Sequence, residues 1–508
     1  MILRRILILC GLILALTTTA AAAERALLRA ALNSITASDL QTHVDYLADD
    51  VFEGREAGSR GGRAAGVYLT QQLEKRNLRG MGDDGGYFQP FGKGFRNILA
   101  ILPGSDPELK DEIVVVGGHY DHVGYGDRTN SFGPFGYVHN GADDNASGVA
   151  GLLEVIDAFL SAGVVPRRSI LFAFWDGEEK GLVGSKHWVA NPSIPLGRVV
   201  AAINLDMIGR MKNNKLEVYG TRTAQGLRRL VSESNTESQL ELDFSWEMKS
   251  NSDHHTFFAK SIPVLMLHTG LHDDYHRPSD DAHLVNSEGM QQAARLMFQV
   301  ILSLSDRDQL AGFRPESRGE SPAGQRTLER SLTPLPPRLG VRWRPQVGTE
   351  GVTLSEVRPG TPAERAGFRE GDRIVRFNGQ RITDSETFRR EVLTTSSPVE
   401  VWVQRRGEEG PAAYQVDLNG QPSRIGISWR IDDAEPGTVL LTRVVPASPA
   451  ALAGMRVGDR IYEIQGKQFS DSDQLYKLLT TMPGPMTLNV ERAGSVRAVE
   501  LSLDLRHN

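Results

Sequence analysis

The chain is almost free of cysteine. Of its 508 residues one is Cys, Cys10, and it lies in the first apolar run. Such a chain makes no internal disulfide, and any metal it holds must be bound through His, Asp and Glu. It also lacks a basic excess, with 57 Lys and Arg against 63 Asp and Glu and a net charge of −6. With no long basic run either, this excludes a nucleic-acid binder. Beyond the N-terminus no apolar run is long enough to cross a membrane. What is present, 40% apolar and 24% charged residues, is the composition of a soluble globular protein, and the length calls for two to four domains.

The N-terminus reads MILRRILILCGLILALTTTAAAAERA. Arg4 and Arg5 form a basic region, Ile6 to Leu16 an apolar core, and Ala20–Ala23 a run of small cleavable residues. This is the pattern of a secretory signal peptide over residues 1–23, too short to be a span. It predicts a periplasmic or secreted protein with no membrane span after cleavage. Cys10 sits mid-core rather than at the cleavage site, so it is not a lipid-attachment site.

From about 24 to 310, short apolar runs alternate with longer periodic ones. EIVVVGG (112–118), SILFAFW (169–175), RVVAAINL (198–205) and SIPVLMLH (261–268) read as strands, and SGVAGLLEVIDAFLSAG (147–163) reads as a helix. Fully apolar strands separated by helices predict an α/β domain, a mostly parallel mixed sheet with helices on both faces. GFRPESRGESPAGQRTLERSLTPLPPR (312–338) is rich in Pro, Ser, Gly and Arg. It predicts a linker, placed at 311–335, with few contacts across it.

An internal repeat follows. Pro362 matches Pro449, Gly371-Asp372-Arg373-Ile374 matches Gly458-Asp459-Arg460-Ile461, and Asp384 matches Asp471, each 87 residues on. RLGVRW (338–343) matches RIGISW (424–429) at an offset of 86. The period suits two small tandem β-rich domains, at 336–420 and 421–506.

The chemistry-bearing residues of the first domain stand at strand ends. GGHYDH places His119 and Asp121 there, WDGEEKG places Glu178 and Glu179, INLDMIG places Asp206, and HDDYHRPSDD places His276 in the loop after the last strand. Asp143 and Asp144, in GADDNASG, stand just before the helix. Open α/β sheets carry their sites at the carboxyl ends of their strands. Each piece alone has an ordinary explanation, a surface loop, a solvated turn or a helix cap. Together on one sheet edge they point to a metal or two, with a carboxylate able to bridge a pair about 3.5–4 Å apart.

HYDH, GADDNASG, DGEEKGLVGS, NLDMIGR and YHRPSDD, in this order, resemble the co-catalytic dizinc aminopeptidases. These are the secreted bacterial leucyl aminopeptidases, in a clan with glutamate carboxypeptidases and glutaminyl cyclases. The resemblance covers about 36 to 305 and includes FEGREAGSRGGRAAGVYLTQQL. It implies His119 and Asp206 on one zinc, Glu179 and His276 on the other, and Asp144 bridging, with a cis peptide before Asn145. It further implies Asp121 orienting the metal-bound histidine and Glu178 as general base to the attacking water. Tyr275 is either an oxyanion donor or a packing tyrosine. SDHHTFF (252–258) corresponds to a loop near the substrate pocket, with no role given to Asp253 or His254. No extra domain interrupts the stretch before HYDH.

The repeats resemble bacterial periplasmic PDZ domains. Leu339, Gly340 and Val341, and Ile425, Gly426 and Ile427, correspond to the loops that capture a peptide's terminal carboxylate, an extended segment adding as a strand. The two copies could equally serve as scaffolding. The expected function is a secreted two-zinc exopeptidase, an aminopeptidase acting on peptides recruited by PDZ domains. The alternatives are a single-zinc glutaminyl-cyclase-like transferase and a non-catalytic PDZ peptide-binding protein.

Overall fold

A computed structural model describes residues 22–344 and 350–503. The leader expected over 1–23 lies, but for its last two residues, outside them. The main division of the chain falls between Gly324 and Gln325.

The first unit is built on a nine-stranded sheet. Its strands are β1 Arg79–Gly80, β2 Phe88–Phe91, β3 Phe95–Leu102, β4 Ile113–His119, β5 Ser169–Trp175, β6 Val199–Leu205, β7 Lys215–Tyr219, β8 Glu241–Ser245 and β9 Val264–His268. They lie in the order β1-β3-β5-β4-β6-β9-β7-β8, with β2 paired to β3. The middle four, β5-β4-β6-β9, are parallel to one another. They are the four apolar runs of the sequence. Antiparallel pairing enters at β3 on one side and β7 on the other.

Because side chains alternate along a strand, each central strand feeds two cores. Val114, Val116, Phe172, Phe174, Ile203 and Leu205 pack under the helices Ala37–Leu47, Arg60–Lys75, Gly148–Ser161 and Ser287–Asp306. Val115, Leu171, Trp175, Ala202 and Val264 meet Trp188, Phe257 and Phe258 on the other face. Both faces are covered, which is why these strands carry apolar residues on both faces instead of alternating with polar ones. The first half of the Pro- and Ser-rich stretch also lies on this unit. Phe313 pairs with Ala224 and packs on Phe258 at 5.6 Å, and Glu320 takes Arg222 at 2.6 Å and Arg314 at 2.7 Å. Single contacts of this kind leave no periodic trace in sequence.

The second unit holds two antiparallel sheets, in the orders β10-β11-β12-β14-β15 and β16-β17-β18-β19-β20. The first comprises β10 Val341–Arg344, β11 Val352–Val357, β12 Arg373–Phe377, β13 Gln380–Arg381 (paired to β12), β14 Val399–Gln404 and β15 Ala412–Val416. The second comprises β16 Ile427–Ile431, β17 Val439–Val444, β18 Arg460–Ile464, β19 Met486–Arg492 and β20 Ser495–Leu501. Each has its own core and one longer helix, Ser385–Thr394 or Ser472–Thr481. The repeated Asp384 and Asp471 are the caps of those helices, accepting from Thr387 N at 2.7 Å and Gln474 N at 2.8 Å. Among the described residues no helix is long and apolar enough to cross a membrane.

Candidate metal centre

The carboxyl ends of β4, β5, β6 and β9 deliver the charged side chains to one edge. His119 closes β4, Glu178 and Glu179 follow β5, Asp206 follows β6, and His276 stands in the loop after β9. The donors form two groups, His119, Asp144 and Asp206, and His122, Asp144, Glu179 and His276. Asp144 belongs to both. Its Oδ1 lies 3.3 Å from His119 Nε2 and its Oδ2 lies 3.0 Å from His276 Nε2. Asp206 Oδ1 is 3.5 Å from His119 Nε2, and Glu179 Oε1 is 3.2 Å from His276 Nε2.

These spacings fit a metal. Four donors about 2.0–2.1 Å from one ion stand about 3.3 Å apart in a tetrahedron. The carboxylates are buried, and the wholly buried Arg55 feels the charge of Asp144 and Glu179 without a hydrogen bond to either. Arg55 gives its N–H groups to the carbonyls of Leu47, Tyr120, Asn140 and Gly141 at 2.6–3.0 Å. It thereby ties the turns that carry His119 and Asp144. Burial alone would raise the Asp144 pKa, yet the His119 and His276 imidazoles hold it well below the carboxylate range. Burial would lower His276, and Asp144 and Glu179 instead carry it to about 10. The cluster attracts positive charge.

The local sequence explains how Asp144 is presented. A kinked turn, Ala142–Ser147, non-helical at Asp144 and Asn145, precedes the helix Gly148–Ser161. Asp280 Oδ2 accepts both the Asp143 and Asp144 amides, at 3.0 and 3.1 Å. The Asp144–Asn145 peptide is cis, and the Asn145 amide group bonds Leu205 O and accepts from Gly148 N and Met207 N. Asp143 turns the other way. Its Oδ1 accepts from Gly209 N at 2.6 Å and Ser147 Oγ at 2.9 Å. The neighbouring aspartates therefore have different partners.

Glu178 stands outside both donor groups. Burial pushes its pKa well up, with His119 acting against that. Asp121 accepts the amides of Glu178 and Glu179 at 3.1 and 3.3 Å, and its carboxylate is 3.7 Å from His119 Nδ1. The shorter contact of that ring nitrogen is the Asp121 carbonyl at 3.1 Å. Tyr275 stacks on the His276 ring at 3.9 Å between centroids, and His276 Nδ1 meets Asn130 O at 2.9 Å.

The sequence reading gave no role to three residues of this edge. His122 is the second histidine of HYDH and lies in the second donor group. Ser252 donates to Asp206 Oδ2 at 2.5 Å and accepts from Asn204 at 2.7 Å. Arg55 sits in the FEGREAG stretch. His122 alone had a signal, its place three residues after His119. Asp253 and His254 are buried nearby.

In the second unit, Gly340 and Gly426 have φ of +86° and +84°, and a Cβ at either would come within 2.2 Å of Thr361 or Ser448. Only glycine fits there. Leu339 and Ile425 are buried, while Val341 and Ile427 open the edge strands β10 and β16. The Gly426 N–H is taken by Ser423 Oγ at 2.9 Å. Pro337 stands at the corresponding place of the first copy, 86 residues earlier.

Comparison with known proteins places these regions. Residues 97–301 match peptidase family M28, and residues 337–414 and 440–492 match PDZ domains. Leupeptin-inactivating enzyme 1 of Streptomyces exfoliatus is 31% identical over 189 residues, 37% of this chain and 38% of that protein. Aminopeptidase YwaD of Bacillus subtilis is 31% identical over 216 residues, 41% of this chain and 44% of that protein. The crystal structure of the LapA aminopeptidase of Legionella pneumophila aligns with a TM-score of 0.47 at 22% identity, over 56% of this chain and 74% of that one. The chain thus spans less than half the length of these curated relatives. It carries a domain of peptidase family M28 followed by two PDZ domains.

Proposed function

We propose that the protein is a two-zinc exopeptidase that removes N-terminal residues from peptides. The observation that carries this reading is the sharing of Asp144 between two donor groups, with Glu178 beside them and in neither. His119 and Asp206 would hold one ion, Glu179 and His276 the other, and Asp144 would bridge them. When bound, the ions would supply Lewis acidity towards a peptide carbonyl and acidify a water. Glu178 would serve as general base, taking a proton from the attacking water and giving it to the leaving amine, a role that its raised pKa suits. Asp121 fixes the Glu178 backbone, and Tyr275 backs the His276 ring.

The leader over 1–23 would direct the chain to the periplasm or outside the cell, the peptidase domain occupying 24–310. The PDZ domains, 336–420 and 421–506, would present β10 and β16 to extended segments or C-termini of peptide substrates. The purified protein, tested on aminoacyl amides, N-blocked peptides and peptides ending in glutamate, decides the matter. The expected result is turnover of the aminoacyl amides alone, with two zinc ions per chain. Cyclisation of N-terminal glutamine with one ion would favour the transferase, and no turnover the binding protein.

A further inference from the structure

The two donor groups are unequal. One offers three side chains and the other four, the extra one being His122. We propose that His122 is a direct metal ligand, so that the second position is closed by four protein donors and the first is the open one. This rests on reading the cluster as a two-metal centre.

The geometry carries it. His122 Nδ1 is 3.1 Å from Glu179 Oε1 and 3.7 Å from Asp144 Oδ2. With the His276 contacts at 3.0 and 3.2 Å, the four measured edges bracket the ~3.3 Å of a tetrahedral zinc site. A histidine that merely donated to Glu179 would need only the first of its two contacts. The 3.7 Å contact is too long for a hydrogen bond and is an ordinary edge of a coordination shell. The rings of His122 and His276 meet edge to face, 5.5 Å apart at 84°, which lets both nitrogens converge.

The seat of the ring is built. His122 is wholly buried, and its amide donates to Arg55 O at 3.3 Å. Gly141 has φ +57°, and a Cβ there would come within 2.2 Å of Asp144 O and 2.5 Å of His122 Cγ and Cδ2, so the first glycine of GADDNASG lets the chain approach both Asp144 and the ring. The segment that supplies Asp144 therefore packs directly against the His122 ring.

Two consequences follow from donor chemistry. Four protein donors close a tetrahedral site, whereas three leave a place for water or substrate. The open place then belongs to the His119, Asp144 and Asp206 position, whose His119 and Asp206 are among the charges acting on Glu178. Two imidazoles also favour zinc, cobalt or nickel over manganese or magnesium. The second position should fill first, and the first should be the weaker and more exchangeable.

The test uses the full chain, stripped with a chelator and titrated with zinc against a chromophoric competitor. Wild type is expected to bind two ions in two steps. His122→Asn keeps an N–H near Nδ1 for Glu179 but removes the nitrogen lone pair. It should weaken the tighter step more than ~100-fold, beyond what loss of an outer hydrogen-bond partner typically costs. A loss of ~100-fold or less is what an outer hydrogen-bond partner explains, and it overturns the proposal, leaving His122 as a hydrogen-bond donor. Wild type binding no zinc would instead remove the metal reading itself. X-ray absorption of wild type with one equivalent of zinc needs no variant. Two imidazoles per zinc support the assignment, and one overturns it.

Discussion

The PDZ domains and the peptidase domain bury carboxylates in opposite ways. In the PDZ pair each buried aspartate of the GDRI signature has its own arginine. Arg405 holds Asp372 with two bonds of 2.8 Å, and Arg492 holds Asp459 with bonds of 2.6 and 2.8 Å. Each aspartate also accepts a backbone amide, from Arg369 or Arg456. In the peptidase domain, Asp144, Glu179 and Asp206 converge at the strand ends, and the buried Arg55 gives its N–H groups to carbonyls instead. An isolated buried charge is costly. The first arrangement is complete within the chain, and the second is completed by an ion.

The largest effect should come from the carboxylate that both groups share. Asp144→Asn is expected to reduce metal content from two ions to one or none and hydrolysis to background, as chelation of wild type should. Asp372→Asn, equally buried, should leave both at wild-type values. Metal analysis beside turnover reads this, and an Asp144→Asn protein holding two ions would break the contrast.

The next effect separates neighbours. Glu178→Gln should retain both ions and lose about 10²–10⁴-fold in turnover, the usual contribution of a general base. Glu179→Gln should shed an ion, because Glu179 lies 3.2 Å from His276 Nε2 and 3.1 Å from His122 Nδ1. The reverse pattern would exchange their roles, and unchanged turnover in both would dismiss the site.

The parallel heart of the sheet was legible because β4, β5, β6 and β9 are continuous apolar runs ending in His, Asp or Glu. The flanking β7 and β8 were not, since KLEVY and ELDFS alternate polar and apolar residues over only five positions each, too short a run to stand out. At the site, ligand-type residues at strand ends could be read from their order. His122 had only the weak signal of standing three residues after His119, because its part depends on the direction in which the ring turns beside Gly141. Arg55 reads as one more surface arginine until its partners prove to be carbonyls from three other segments. The Phe313 and Glu320 contacts were hidden in a stretch whose composition is that of a linker.

A third way to bury a carboxylate appears at Glu154, which takes a proton. Burial raises its pKa to about 7, and burial lowers that of His43, 4.0 Å away, to about 4. Between those values both are neutral. The Glu154 contribution is fully present below its ordinary value of 4.5 and is lost as pH rises through 7. The His43 contribution is present above 6.5 and is lost as pH falls through 4. Glu154→Gln should therefore reduce the stability lost between pH 5 and 8, by up to about 3 kcal/mol. Melts across that range check it, and equal slopes for variant and wild type would show that Glu154 is ionised throughout.

The smallest effect tests the arginine-paired side of the contrast. Asp372 is buried, while a fifth of the Arg405 side chain is exposed, so part of the attraction is screened. Asp372→Asn keeps an acceptor for the Arg369 amide and strands the guanidinium, which should cost the second unit about 2 kcal/mol. Asp459→Asn should cost the same, because Arg492, Arg456 and the Gly454 carbonyl repeat the arrangement of Arg405, Arg369 and the Gly367 carbonyl. Removing both partners, with Asp372→Asn and Arg405→Met together, should cost less than the sum of the single changes, since no charge is left unpaired. Denaturant unfolding of the full chain, followed through the transition of the second unit, measures these variants together with Arg405→Met alone. Strict additivity would mean that the pair is solvated independently, and that the PDZ aspartates need a counter-charge no more than an exposed one does.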